Sequence, residues 1–306
     1  MTAGDLTTDS APVPVRRNPV AKFLRLVMIE HSVFALPFAY IAALTAMWAD
    51  DRSVHWTDLA LITVAMVSAR TVAMSANRIL DRNYDALNPR TANRELVTGE
   101  VSLATAWTGT VVFLLIFLAS CAALSWLCLA LAPVAVLLLV LYSFGKRFTD
   151  YPQVLLALAQ FVAPVGAWIA ATGHGSWAAT ALGIAVGTWI GGFDLIYACQ
   201  DYDVDVRIGV RSVPAKYGIR AALRASSVVH VVTVAAFVWF GVAAGLHALW
   251  FVGVGATALV LVYEHAIVKA DDLSRVNRAF FTANGVIGIG LFGFALADLI
   301  VNGLTA

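Results

Sequence analysis

The chain has 306 residues, 60% of them hydrophobic and 13% charged, with a net charge of +1 and a mean hydropathy of +0.82. A soluble domain carries about 25% charged residues, so this composition excludes a water-soluble globular protein and points to a polytopic membrane protein. The near-zero net charge singles out no charged macromolecule as a partner, and no nucleic-acid partner is expected.

Residues 1–20, opening with a run rich in Thr, Asp, Ala and Pro, are expected to form a disordered tail ahead of a single domain over 21–306. No cleavable signal peptide is expected ahead of the first span. Apolar windows of about 20 residues mark spans. Nine are predicted, at 24–48, 57–80, 103–122, 126–144, 153–172, 177–200, 222–243, 247–267 and 279–301. The expected fold class is therefore all-α, a nine-helix membrane bundle. The nine Trp are expected mostly as interface anchors. Cys121, Cys128 and Cys199 fall in apolar runs without metal spacing, which reads as small buried hydrophobes.

Charge sets the orientation. Eighteen of the twenty Lys and Arg fall on one side of the nine-span topology, with Arg52 opposite and Arg70 inside the second span. The positive-inside rule then places the N-terminus and the long polar loops after spans two and six in the cytoplasm.

At the end of span two, Asn77, Asp81 and Asp85 stand four residues apart. On a helix each such step drifts only about 40° around the axis, so the three share one face over about 12 Å of rise. Like charges at this spacing repel, and more so near a bilayer, unless a cation neutralises them. At the end of span six, Asp194, Asp201 and Asp205 form a second row, with Asp203 off the stripe and solvated. Oxygen-only donors favour Mg²⁺, which bridges carboxylates to phosphate. Arg82, Arg90, Arg94, Lys146, Arg147, Arg207 and Arg211 lie beside the two rows. Mg²⁺ with Lys and Arg is suited to binding a diphosphate and stabilising its departure. An apolar bundle beneath suits a hydrocarbon tail. The implied substrate is a polyprenyl diphosphate, and the allylic cation it leaves would be captured by an electron-rich acceptor with water excluded.

Asn77-x-x-x-Asp81-x-x-x-Asp85 followed by Arg90-Thr-Ala-Asn-Arg94-Glu-Leu-Val-Thr-Gly99 resembles the first signature of the UbiA superfamily of intramembrane prenyltransferases. Asp194-x-x-Tyr197-Ala-x-x-Asp201-x-x-x-Asp205 with Arg207-Ile-Gly-Val-Arg211-Ser resembles the second. Tyr142-Ser-Phe-Gly-Lys146-Arg147 and Pro152-Gln153 resemble the 4-hydroxybenzoate polyprenyltransferase branch. The resemblance implies that Asn77, Asp81 and Asp85 hold one Mg²⁺ and Asp201 and Asp205 another, with the diphosphate between them. It implies that Lys146, Arg82 and Arg94 contact diphosphate oxygens, with Arg211 among the substrate-binding residues. Asp194 would support the second site or the acceptor. Tyr142 and Tyr197 would face the cation or the aromatic acceptor, where a ring face stabilises positive charge by about 0.5–2 kcal/mol.

Arg70 lies seven residues before Asn77 on the same helix face. An intramembrane arginine is costly and faces a polar cavity. It pairs either with the acceptor's carboxylate or, alternatively, with a diphosphate or an acidic side chain. Arg78 departs from the family pattern, in which an acid follows the Asn. The Glu30-His31 and Ala35-Leu36-Pro37-Phe38 stretch resembles the branch associated with menaquinone made by the futalosine route, which implies 1,4-dihydroxy-6-naphthoate or a related carboxylated naphthol as acceptor. Glu30 and His31 read either as an acid/base pair or as interfacial side chains. Two other readings stand beside these: a transferase with a non-carboxylated acceptor, and a secondary transporter with intramembrane carboxylates. A transporter would keep its acids near the bilayer midplane, whereas these stand at helix ends.

Overall fold

The computed structural model describes residues 18–27 and 32–303. Most of the expected tail, together with Glu30 and His31, lies outside the described residues. The elements are α1 (Pro19–Leu26), α2 (Ser32–Asp50), α3 (Trp56–Asp85), α4 (Glu95–Thr98), α5 (Leu103–Leu124), α6 (Trp126–Phe148) and α7 (Pro152–Thr172). They continue with α8 (Trp177–Ala198), a 3₁₀ turn over Cys199–Asp201, α9 (Tyr202–Ile208), α10 (Val213–Tyr217), α11 (Ile219–Ala243), α12 (Ala248–Ile267) and α13 (Val276–Val301). Among the described residues there are no strands, only an isolated bridge between Lys269 and Asp272.

Seven helical stretches are long and apolar enough to cross a membrane over their described residues: α3, α5, α6, α7, α8 with its extension to Ile208, α11 and α12. The predicted first and ninth spans fall on α2 and α13; the apolar part of α13 described as such is the shorter Gly285–Val301. Seven is therefore the number the described residues establish.

Two predicted boundaries differ in an informative way. The first span was expected to begin at residue 24, but Pro19–Leu26 is a separate short helix. Asn18 caps it by accepting a hydrogen bond from the Val20 amide at 3.0 Å, and Pro19 takes the first-turn position that needs no amide donor. This helix lays Phe23 and Leu26 against Leu96, Val101 and Ala106, with Arg25 on Glu95 at 3.4 Å. The second span was expected to end at 80, but α3 runs on to Asp85. A hydropathy window ends where the apolar run ends, not where the backbone hydrogen bonds end. The predicted junction of spans three and four holds: Ser125 alone is extended, and its Oγ caps α6 by accepting from the Cys128 amide at 3.1 Å.

The core is built around α8. Trp189, Leu182 and Ile196 are fully buried, and Trp189 packs on Phe38 of α2 with ring centroids 5.0 Å apart. At Gly187 a Cβ would come within 2.5 Å of the Ala157 carbonyl oxygen, so α7 and α8 cross backbone to backbone. Trp56, Trp126 and Trp177 each open a helix, α3, α6 and α8, and are all strongly exposed, as interface anchors are. Trp168, Trp189 and Trp250 depart from that expectation and are core residues. Asp298 of α13 is 1% exposed and accepts hydrogen bonds from the amides of His247, Leu249 and Trp250 at 2.8, 3.1 and 3.3 Å. It thereby caps the start of α12.

Candidate active site

The ends of α3, α6 and α8 meet at one end of the bundle. The last two turns of α3 put Asn77, Asp81 and Asp85 on one face, as the spacing predicts. Lys146, near the end of α6, places its Nζ 2.7 Å from Oδ2 of Asp81, which is 2% exposed. Asn77 Nδ2 donates to the same Asp81 oxygen at 3.1 Å and to Ser143 Oγ at 3.4 Å. The other Asp81 oxygen, Oδ1, is buried and has no hydrogen-bond partner. Arg94 Nη1 donates to Asp85 Oδ1 at 2.6 Å. The loop between them is folded back by Thr91, whose Oγ1 donates to the Asp85 carbonyl at 2.9 Å.

The second row is not one straight helix. The chain leaves α8 at Ala198, tightens into the 3₁₀ turn that carries Asp201, and resumes as α9 with Asp205. Asp194, Asp201 and Asp205 nevertheless line the same cavity as the first row. The loop after α3 makes the bridge. Asn88 Nδ2 donates to Asp201 Oδ1 at 2.9 Å. Arg90 holds Asp201 with a two-pronged pair and lays its guanidinium over the Tyr197 ring, 5.3 Å from the centroid. Burial works against the Arg90 charge, but the hydrogen bonds and charge of Asp201 outweigh it and hold its pKa above the usual value. Ser212 Oγ donates to Asp205 Oδ2 at 3.0 Å.

The cavity has a volume of about 830 Å³. From the acidic end it descends between α3, α5, α6 and α7 to Ile62, Phe117, Cys121, Leu124 and Cys128. Along α3, Asp85 to Ile62 is about 35 Å of rise, so the chamber runs most of the length of the bundle. Arg70, Tyr142, Lys146, Arg94, Tyr197 and Arg211 all line it. Arg211 is fixed by donating from Nη1 to the Phe148 carbonyl at 2.8 Å. Arg82 is the exception among the predicted residues: it is exposed, donates to the Leu96 carbonyl at 2.9 Å, and is not part of the lining. One residue past Asp81 on a helix is about 100° away from the acidic face, which accounts for it.

Sequence reasoning placed Arg90 among the basic residues beside the rows and Gln153 in a family-like stretch without giving either a role, and did not name Asn88. Gln153 opens α7 and is 6% exposed, with a buried Oε1 that has no hydrogen-bond partner. A lone amide at the head of an apolar run was the available signal. Among the described residues no three carboxylate, imidazole or thiol side chains converge as a preformed metal centre. The donors nonetheless fit a hard cation: an oxygen-only set from Asn77, Asp81, Asp85, Asp201 and Asp205, with one buried Asp81 oxygen unpartnered.

Residues 35–286 match the model of the UbiA prenyltransferase family. A 4-hydroxybenzoate octaprenyltransferase of Alkalilimnicola ehrlichii is 31% identical over 245 residues, covering 80% of this chain and 83% of that one. The apo structure of a UbiA homologue from Aeropyrum pernix superposes with a TM-score of 0.79 at 34% identity, over 88% of this chain and 98% of that one. A UbiA homologue from Archaeoglobus fulgidus, bound to DMAPP and Mg²⁺, shares the fold with a TM-score of 0.68 at 20% identity, over 92% and 99%. Two acidic rows converging on one apolar chamber, in a chain that matches the family over most of its length, make this integral membrane protein a member of the UbiA prenyltransferase family.

Proposed function

We propose that the protein transfers a polyprenyl group from a polyprenyl diphosphate to a carboxylated aromatic acceptor in quinone biosynthesis, with Mg²⁺ at the two acidic rows. The observation that carries this reading is the set of three ion pairs at the chamber mouth, Lys146–Asp81, Arg94–Asp85 and Arg90–Asp201, above a long apolar cavity. Asn77, Asp81 and Asp85 would hold one Mg²⁺ and Asp201 and Asp205 the other. Bound there, the metal supplies positive charge to a departing diphosphate. Lys146, Arg94 and Arg90 bind and orient the diphosphate oxygens, since each lines the cavity and is paired with a carboxylate of one of the rows. Tyr142 and Tyr197 line the region beneath and turn ring faces to developing positive charge. The alanine-rich walls of α3 and α7 exclude water that would quench the cation.

Arg70 is about 10 Å of helix rise below Asn77 and lines the same cavity, which suits pairing with the acceptor's carboxylate. Asp194 supports the second site or the acceptor. The name of the bacterial relatives supports a hydroxylated aromatic acid such as 4-hydroxybenzoate; 1,4-dihydroxy-6-naphthoate has the same carboxylate and electron-rich ring. With α2 and α13 counted as spans one and nine, the positive-inside rule places the acidic end and the N-terminus at the cytoplasmic face of the cell membrane.

The test is a membrane assay with radiolabelled prenyl diphosphates, Mg²⁺ and a panel of acceptors. A prenylated carboxylic acid as product, lost in Asp81→Ala and in Asp201→Ala with the fold intact, is the expected result. Normal turnover in both variants, or product with non-carboxylated acceptors alone, overturns it.

A further inference from the structure

The chamber wall contributed by α7 carries a row of small residues among larger ones such as Leu156, Phe161 and Ile169. Ala159, Ala163, Gly166 and Ala170 lie at helical spacing and all line the cavity. Gly166 differs from Gly183 and Gly187 of the facing helix α8, and from Gly255, Gly290 and Gly293, which also meet open space but do not line the chamber. A Cβ at Gly183 would meet the Phe161 ring at 2.6 Å, and one at Gly187 would meet the Ala157 carbonyl oxygen at 2.5 Å, so close helix packing demands glycine at both. A Cβ at Gly166 would meet nothing within 4 Å. Its backbone is helical, with no positive φ that would call for glycine. Neither packing nor backbone conformation therefore requires glycine at 166, and glycine weakens a helix relative to alanine. What the missing side chain provides is open space within the chamber.

The depth of that space is informative. Gly166 is thirteen residues along α7 from Gln153 at the polar mouth, a rise of about 20 Å. Three extended backbone bonds span about 3.5 Å, so a four-bond isoprene repeat spans about 4.7 Å and about four repeats reach this level. We propose that Gly166 is a specificity-determining residue for prenyl chain length, leaving open the part of the chamber that isoprene repeats beyond about the fourth must pass. The inference rests on the reading of the chamber as the prenyl site.

The test uses the full-length protein in reconstituted membranes, with geranyl, geranylgeranyl and octaprenyl diphosphates as donors. Gly166→Ala, Gly166→Leu and Gly166→Phe are compared with Gly255→Phe, which fills open space at an exposed helical glycine that does not line the chamber. The ratio of octaprenyl to geranyl kcat/KM is expected to fall stepwise with side-chain size, by about tenfold or more at Phe, while Gly255→Phe keeps the parental ratio. Comparing donors within each variant cancels any loss of folded protein, and the alanine variant adds only a methyl group to open space. A ratio that does not change, or that falls equally in Gly255→Phe, overturns the proposal. A parent protein inactive with all three donors would instead overturn the assignment of the chamber to prenyl chains.

Discussion

Arg90 closes on Asp201 through two parallel hydrogen bonds, Nε to Oδ1 at 2.9 Å and Nη2 to Oδ2 at 2.6 Å, and so ties the loop that leaves α3 to the turn that ends α8. The two acidic rows are distant in sequence, and this contact joins them. Lysine cannot reproduce the planar fork. Arg90→Lys is therefore expected to lower kcat/KM for the prenyl diphosphate by about tenfold or more, the value of one charge-assisted hydrogen bond of about 1.5–3 kcal/mol. Because its pKa is raised, Arg90 stays charged below its ordinary unfolded value, and on the basic side the pair is lost only as pH climbs through the raised folded value. Steady-state kinetics from mildly acidic to mildly basic pH should then show the same loss throughout; a defect confined to one end of that range would contradict the pairing.

Lys146 is the counter-charge for an almost fully buried Asp81. Removing one partner of such a pair leaves an uncompensated charge, at a cost of about 3–5 kcal/mol. Lys146→Met should lower the detergent-solubilised Tm clearly, and adding Asp81→Asn should restore most of it without restoring turnover. If Lys146→Met alone melts like the parent, Asp81 is balanced by some other group.

Arg70→Ala should raise KM for a carboxylated acceptor by about tenfold or more while leaving KM for the prenyl diphosphate near its parental value. An analogue of the acceptor lacking its carboxylate should be handled alike by parent and variant. The opposite split, a diphosphate defect with a normal acceptor KM, assigns Arg70 to the diphosphate.

Cys121 and Cys128 line the deep part of the chamber, whereas Cys199 packs outside it against Leu195, Val213 and Ala222. A long-chain prenyl diphosphate should therefore slow alkylation of single-cysteine variants at 121 and 128 by an apolar maleimide and leave Cys199 unaffected. Equal protection at all three would indicate general tightening of the bundle, not occupancy of the chamber.

The acidic rows were legible because both lie at helix ends, where the periodicity is set by the backbone. Asn77, Asp81 and Asp85 needed only the four-residue spacing. The second row reached the right cavity by a route the spacing did not foresee, since the chain changes helix type at Cys199 between Asp194 and Asp201. Arg82 went the other way: it was adjacent in sequence but points to the Leu96 carbonyl. Arg90 and Asn88 lie in a loop whose path is decided by tertiary contacts, so their bonds to Asp201, 111 and 113 residues away, leave no trace in local pattern. The separation of α1 from α2 was invisible to hydropathy, because a short helix that buries only one side averages into the apolar run that follows it.

The carboxylate of Asp298 has a consequence for where α12 can begin. The first amides of a helix ordinarily need water, which keeps helix starts at the bilayer surface. Here α13 supplies a carboxylate that takes the place of that water by accepting from the amides of His247, Leu249 and Trp250. The open end of the α12–α13 pair, away from the 268–275 connection, thus carries its own solvation, so the start of α12 can sit deeper beneath the headgroups than an uncapped helix end could.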